Sequence, residues 1–159
     1  MIHGDPENID AQYRTEFSVK ALQDAGMERE ELLLQRGDWD QAKGQQITQD
    51  ALTQFGEQVE VVFCNKDSMA LGALQAIQAA GRKVNEDIYL VGVDALDAAL
   101  NEVVNGNMTG TVLNDANGQA AGAVEAMEAL LGGKTYASGE QSIYVDYVKV
   151  TPENAADFQ

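Results

Sequence analysis

The sequence has little of what covalent cross-links, metal cages and cation-rich surfaces require. Its 159 residues include one cysteine, one histidine, one tryptophan and two prolines. A single cysteine excludes an internal disulfide and a zinc cage made of cysteines. Only 10 Lys and Arg stand against 26 Asp and Glu, a net charge of −16 with His neutral. Because each phosphate contact needs a cation, this charge argues against nucleic acid and anionic membranes as partners.

The usual nucleotide and membrane signatures are missing as well. No strand is followed by G-x-G-x-x-G, no P-loop occurs, and no apolar run approaches the length that spans a bilayer. The first four residues read as the end of a strand that enters a loop, without an apolar leader. We expect either a cytoplasmic protein or, as the motifs below favour, a chain that lacks its natural beginning.

Few residues are candidates for catalysis. Cys64 lies within an apolar run and His3 at a strand end, so both are expected to be structural rather than a nucleophile and its base. Asp10 and Asp94 could in principle form the carboxylate pair of a glycosidase, but nothing marks either as an acid with a raised pKa. These observations favour a binding protein over an enzyme, and they call for no cofactor and no metal.

What the chain does have is a regular alternation of amphipathic helices and apolar strands. The helices are predicted at residues 10–25, from Asp38 or Asp40 to Gly56, and at 67–81, 96–104 and 117–131. The strands are predicted between them, at 31–35, 59–64, 88–93, 109–113 and 143–150. This alternation predicts an α/β fold in which a parallel sheet carries helices on both faces.

Polar residues gather at the carboxyl ends of these strands, where ligands of such sheets bind. Asp accepts hydrogen bonds, Arg donates them and Asn does both, which suits a neutral polyol whose hydroxyls donate and accept. Trp39 could supply a flat platform for the apolar face of a sugar ring. The alternatives stay open: Asp10 and Asp67 as helix N-caps, Trp39 as a core residue and Arg14 in a surface ion pair.

Three motifs carry a family resemblance: VEVVFCNKDSMALGA from Val59, VGVDAL from Val91 and GTVLNDA from Gly110. Together with the opening GDPENIDAQYRT they resemble the galactose/glucose-binding proteins, which are type I periplasmic binding proteins of sugar transporters. The resemblance implies one lobe of a protein that hinges shut over a monosaccharide.

The resemblance also implies a set of sugar contacts. Asp94 would be a key hydroxyl acceptor and Trp39 would stack on the sugar ring. Two positions depart from the family: Asn8 replaces a histidine and keeps its hydrogen-bonding capacity, whereas Lys66 replaces an asparagine with a longer cation that only donates. Lys66 leaves the identity of the sugar open, and a shifted register would put Asn65 there instead. The implied substrate-binding set is Asn8, Asp10, Arg14, Trp39, Lys66, Asp94 and Asn114.

As for domains, the resemblance implies that residues 1–159 are the C-terminal half of such a protein. Residues of about 1–114 and 143–159 would form the second lobe, and about 115–142 would belong to a missing first lobe. The apolar stripe of the last long helix would then lose its support, so we expect a second copy, a rearranged fold or crystal contacts to cover it. This stripe consists of Ala120, Val124, Met127 and Leu131.

The function that the resemblance implies is capture of a galactose- or glucose-like monosaccharide for an ABC importer, outside the cytoplasm. The implied partners are the sugar and the membrane subunits of the importer, with a chemoreceptor and a second copy of the chain as further candidates. Some family members bind calcium, but Glu60, which matches one distant carboxylate of that site, cannot hold the ion alone. The alternative function is the effector-binding core of a LacI-type repressor, which shares the fold but needs a DNA-binding headpiece.

Overall fold

The computed structural model describes residues 1–134 and 143–159, and over these ranges helices and strands alternate. The helices are α1 (Ile9–Asp24), α2 (Gln41–Phe55), α3 (Asp67–Ala79), α4 (Asp97–Val104) and α5 (Ala116–Leu131). The strands are β1 (Ile2–His3), β2 (Gln35–Arg36), β3 (Val61–Phe63), β4 (Tyr89–Val91), β5 (Thr111–Leu113) and β6 (Val148–Val150). Short 3-10 turns occupy Gly56–Gln58 and Ala155–Phe158.

The strands form three pairs that isolated bridges join into one layer, in the order β2-β1-β3-β4-β5-β6. The pairs β1–β2 and β3–β4 are parallel, and parallel bridges link β1 to β3 and β4 to β5. The predicted α/β fold is therefore confirmed. The last strand differs from the prediction, because β6 runs antiparallel to β5, with Val148 opposite Leu113. Its first residues consequently lie at the edge where the parallel strands end.

One face of this layer is buried and the other is partly open. Val62 and Leu90 are buried, whereas their neighbours Val61 and Tyr89 are about half exposed, as the alternation of side chains along a strand dictates. The helices α3 and α4 pack on the buried face, and α1 borders the open one. The apolar run of residues 59–64 is typical of a strand buried on both faces, but in β3 only Val62 is buried.

The helices α2 and α3 approach each other closely because glycines lie at their contact. A Cβ atom on Gly44 would meet the carbonyl oxygen of Met69 at 2.3 Å, and one on Gly72 would meet that of Gln41 at 2.0 Å. This approach brings Ile47 of α2 into the core beside α3. The predicted start and end of α2 are confirmed, since Asp40 caps it and Gly56 ends it. Asp38, the other predicted cap, is instead paired with Arg36 and Lys43.

The helix α1 adds little to this core. Only its Ala11 is buried. Tyr13 and Phe17 form an apolar pair on this helix, but they are 52% and 56% exposed, with ring centroids 5.8 Å apart. The pair borders the open face of the sheet instead of entering the core.

The helix α5 is more exposed still, because none of its residues is buried and Leu131 is 88% exposed. Within the described residues the chain does not cover the predicted stripe, and its cover by a second copy, a rearranged fold or crystal contacts stays a prediction. Of the segment 115–142 that the sequence assigns to another lobe, residues 135–142 lie outside the described ranges. In the described ranges no helix has the length and apolar character needed to cross a bilayer.

Candidate functional site

The centre of the site is an ion pair between α1 and the loop that follows β4. Nη1 of Arg14 lies 3.0 Å from Oδ1 of Asp94, and the two side chains are only 12% and 17% exposed. Burial opposes the charge of Arg14, but the Tyr147 hydroxyl and the Asp94 carboxylate outweigh it, so the pKa of the guanidinium is raised. The alternative in which Arg14 makes a surface ion pair is wrong, because this pair is largely withdrawn from water.

Two atoms of this pair are buried without hydrogen-bond partners. Among the described residues, neither Nε of Arg14 nor Oδ1 of Asp94 has a partner of hydrogen-bond geometry, although the two side chains form an ion pair. A buried donor or acceptor that lacks a hydrogen bond costs on the order of 1–3 kcal/mol. A hydroxyl group that accepts from one and donates to the other would satisfy both.

Arg14 is held in place from β3. Its Nη1 donates to the carbonyl oxygen of Asn65 at 2.8 Å. The Asn65 side chain is fully buried and accepts from the Gly4 amide at 3.0 Å and the Thr15 hydroxyl at 3.2 Å. Asn65 therefore joins β1, β3 and α1, and its side chain is engaged in that junction rather than turned to a ligand. This argues against Asn65 as the alternative to Lys66.

Asp94 lies in a strained loop that a second aspartate holds. Asp94 and the following Ala95 both have positive φ angles, +113° and +56°, which non-glycine residues rarely adopt. Asp67, fully buried at the start of α3, accepts from the Leu96 amide at 2.9 Å and from the Thr111 hydroxyl at 2.7 Å. It makes no capping hydrogen bond to its own helix, so the alternative of Asp67 as an N-cap is wrong.

The first turn of α1 reverses two expected roles. Asn8, not Asp10, is the N-cap, because its side chain accepts from the Asp10 and Ala11 amides at 2.9 and 3.3 Å. Both side chains are exposed. Asp10 lines, together with Arg14, one end of an open cavity of about 350 Å³ whose floor is apolar sheet surface. Asn8 lies outside that cavity lining, and its carboxamide is engaged at the helix end.

The other predicted contacts lie around this centre. The Trp39 ring lies on Gly4, where a Cβ atom would meet its Cζ2 at 2.2 Å, and Trp39 packs partly against the core. Lys66 is half-buried, and within the described residues its side chain makes no hydrogen bond or ion pair, although its carbonyl oxygen accepts from the Ala70 amide at 3.1 Å. Asn114 follows β5, next to the Asp94 loop, and accepts from the Gln119 side chain at 2.6 Å. Neither Trp39, Lys66 nor Asn114 lines the cavity beside Arg14.

Tyr147 is a site residue that the sequence did not reveal. Its hydroxyl lies 3.4 Å from Nη2 of Arg14, and its ring centroid lies 5.9 Å from the guanidinium carbon. Tyr147 directly precedes β6, so the antiparallel direction of that strand places it at the carboxyl edge of the parallel strands. Within the described ranges no group of three or more His, Cys, Asp or Glu side chains is arranged to hold a metal ion.

Comparison with known proteins assigns this fold to the periplasmic binding proteins. The family model described as "Periplasmic binding protein domain" matches residues 1–135. The chain is 33% identical over 99% of its length to the D-galactose/methyl-galactoside binding periplasmic protein MglB of Haemophilus influenzae, and 31% identical over 85% to a D-ribose/D-allose-binding protein of Pseudomonas aeruginosa. It covers 49% and 41% of those two proteins, so it spans about half their length.

Solved structures give the same assignment. A solute-binding protein of an ABC transporter from Bacillus halodurans, with bound myo-inositol, superimposes with a TM-score of 0.84 at 28% identity, over 99% of this chain and 52% of that one. The myo-inositol binding protein of Caulobacter gives 0.85 at 25% identity, over 98% and 52%. The chain belongs to the periplasmic binding protein family, and more particularly to its type I sugar-binding members. This confirms the family that the motifs indicate, and a binding protein rather than an enzyme.

Proposed function

We propose that the chain is the second lobe of an extracytoplasmic binding protein that captures a monosaccharide or a cyclic polyol for an ABC importer. In this proposal residues 1–114 and 143–159 form that lobe, and 115–142 belong to the opposite one. The exposure of α5, which has no buried residue, supports that division. The relatives named above are transport proteins, so they do not favour the repressor alternative.

The observation that carries the proposal is that neither Nε of Arg14 nor Oδ1 of Asp94, the oxygen of the ion pair, makes a hydrogen bond within the described residues. A donor and an acceptor that both lack a hydrogen bond, in one ion pair at one edge of the sheet, match the two hydrogen-bonding capacities of a hydroxyl group. Galactose, ribose, allose and myo-inositol, which appear in the names of the relatives, all present rings of such hydroxyls. D-galactose is the ligand we propose first, because the galactose-binding relative aligns with nearly the whole chain.

Calorimetric titration tests the proposal. The protein is titrated with D-galactose, D-glucose, D-ribose, D-xylose and myo-inositol, both as the 159-residue chain and as the product of its gene read from the natural start. A single open lobe cannot enclose a ligand as pocket sites do, so we expect the longer product to bind more tightly.

The variant Asp94→Ala should weaken binding about 100-fold, since hydrogen bonds to a charged group contribute about 1.5–3 kcal/mol each. Asp97→Ala is the matched control: this aspartate lies three residues further on, is exposed, and should leave the affinity unchanged. Silence of both protein forms toward all five ligands would contradict the proposal.

A further inference from the structure

Asp67 is a fully buried carboxyl group beside the site that the proposed sugar contacts do not use. It begins α3, and its amide donates to the carbonyl oxygen of Val93 at 2.8 Å. Its side chain crosses from α3 to the loop after β4 instead of capping its own helix. An uncapped helix start and a buried charge both oppose folding, so the contacts that Asp67 does make call for a reason.

These contacts converge on the strained loop. Oδ2 of Asp67 accepts from the Leu96 amide at 2.9 Å. Oδ1 accepts from the Thr111 hydroxyl at 2.7 Å, and that hydroxyl oxygen accepts from the Ala95 amide at 3.3 Å. Asp67 therefore holds Leu96 directly, and it holds Ala95, the second strained residue, through Thr111. From the other side, the Asp94 amide donates to the Val112 carbonyl at 2.8 Å.

The neighbouring strand leaves room for this carboxylate. A Cβ atom on Gly92 would lie 2.1 Å from Oδ1 of Asp67, so a side chain at position 92 would expel it. Residues in sparsely populated backbone conformations persist only when their surroundings over-determine them, at a cost of about 1–3 kcal/mol each. The hydrogen bonds of Asp67 supply this constraint for Ala95 and Leu96, which directly follow Asp94.

We propose that Asp67 is the positioning residue of the binding site, which holds the loop of residues 94–96 so that Asp94 faces the ligand. The inference rests on the proposed function in taking Asp94 as a ligand contact. The ionised form of Asp67 is the one that accepts both hydrogen bonds at once. A protonated carboxyl or an amide is neutral and carries hydrogen at one of the two positions, so the bonds from Leu96 and Thr111 cannot both keep their strength.

This requirement predicts a pH dependence of binding. Burial, with a contribution from Asp94, raises the pKa of Asp67 to about 6, against the opposing effect of its hydrogen bonds. The charged group that faces Asp67 is Asp94, which is itself paired with Arg14. The thiol of Cys64, directly after β3, also faces Asp67 but stays neutral, because burial raises its pKa to about 12. The affinity should therefore fall as the pH is lowered from 7.5 to 5, and in Asp67→Asn this decline should be absent.

The test compares three variants of the protein that binds best in the titration above. Asp67→Asn should weaken binding at least tenfold at pH 7.5, and Thr111→Val, which cuts the link to Ala95, at least threefold. Thr48→Val is the matched control, since Thr48 is equally buried but bonds only within α2. It should change the affinity less than twofold. Amide hydrogen exchange, measured by NMR without ligand, should speed up at least tenfold at Leu96 in Asp67→Asn and stay unchanged in the control.

The outcomes separate the inference from the proposed function. Unchanged affinity and unchanged exchange in both Asp67→Asn and Thr111→Val would overturn the inference, whatever the wild-type protein binds. If the wild-type protein binds none of the five ligands, the proposed function fails. In that case, faster exchange at Leu96 in Asp67→Asn would show that Asp67 holds the loop without a role in binding. Unchanged exchange would show that Asp67 does not hold the loop either.

Discussion

Replacing Asp67 by asparagine should stabilise the protein at neutral pH, although it loosens the site. The folded chain raises the pKa of this carboxyl from 3.8 to about 6, mainly by burial. Below pH 3.8 the carboxyl is protonated in both states and contributes nothing. As the pH rises from 4 to 6, the unfolded chain releases this proton before the folded chain does, so the unfolding free energy falls. Above pH 6 this loss of unfolding free energy is constant. At about 1.4 kcal/mol per pKa unit, the loss amounts to about 3 kcal/mol at pH 7.

The assay is urea unfolding of the wild-type protein and of Asp67→Asn between pH 4 and pH 8. Asparagine resembles the protonated acid in its hydrogen bonds, so the two proteins should be equally stable near pH 4. At pH 7 the unfolding free energy of the variant should exceed that of the wild-type protein by about 3 kcal/mol. Asp97→Asn is the control, because this side chain is exposed and its replacement should give no such divergence. An Asp67→Asn protein that is less stable at pH 7, or a difference that does not change with pH, would refute the reasoning.

Three further predictions concern residues away from the site. Gly44→Ala should lower the unfolding free energy by about 1–3 kcal/mol in urea, because its Cβ atom would meet backbone of α3. Gly122→Ala in α5 should change it by less than about 1 kcal/mol, because its Cβ atom would meet only a methyl group of Ile143, at 3.3 Å; equal effects would contradict the packing described. Cys64, fully buried with a pKa raised to about 12, should react with a thiol reagent only in denaturant, and fast reaction of the native protein would contradict its burial. Val124→Ser with Met127→Ser should change the unfolding free energy of the monomer by less than about 1 kcal/mol, and a lower sedimentation coefficient would show that a second copy covers this stripe.

The sequence predicted the helices well because their boundaries depend on local chemistry. Asp40 accepts from the Lys43 amide as an N-cap should, and Gly56 ends the same helix with a positive φ angle. Strand direction is not local in this way. A run such as residues 143–150 alternates identically in a parallel or an antiparallel strand. The alternation along the chain predicts a wholly parallel sheet, which does not place Tyr147 at the ligand-binding edge. The antiparallel β6 brings it there, next to Arg14.

The candidate site was predictable at its centre and not in its support. Arg14 in α1 and Asp94 after β4 carry opposite charges, which the sequence shows directly, and they do meet. Asn8 and Asp10 are both residues that favour an N-cap, and a two-residue shift of the helix start decides which of them caps it. Asp67 has the same local signature as a cap, and only the distant loop after β4 makes it an anchor. A pattern within one helix cannot reveal such a contact across the fold.

The costs at this edge all fall on residues that present Asp94. The loop has two consecutive strained residues, and the Asp67 carboxylate that holds it is buried. The ion pair beside the loop has a buried donor and a buried acceptor that make no hydrogen bond within the described residues. Each of these features lowers stability, and each bears on where the Asp94 carboxylate points or what it can bind. Burial of the charge makes Asp67→Asn more stable at neutral pH whatever the role of Asp67, so the affinity separates the two roles. A purely structural role would leave the affinity unchanged, whereas a positioning role requires that the more stable Asp67→Asn protein bind more weakly.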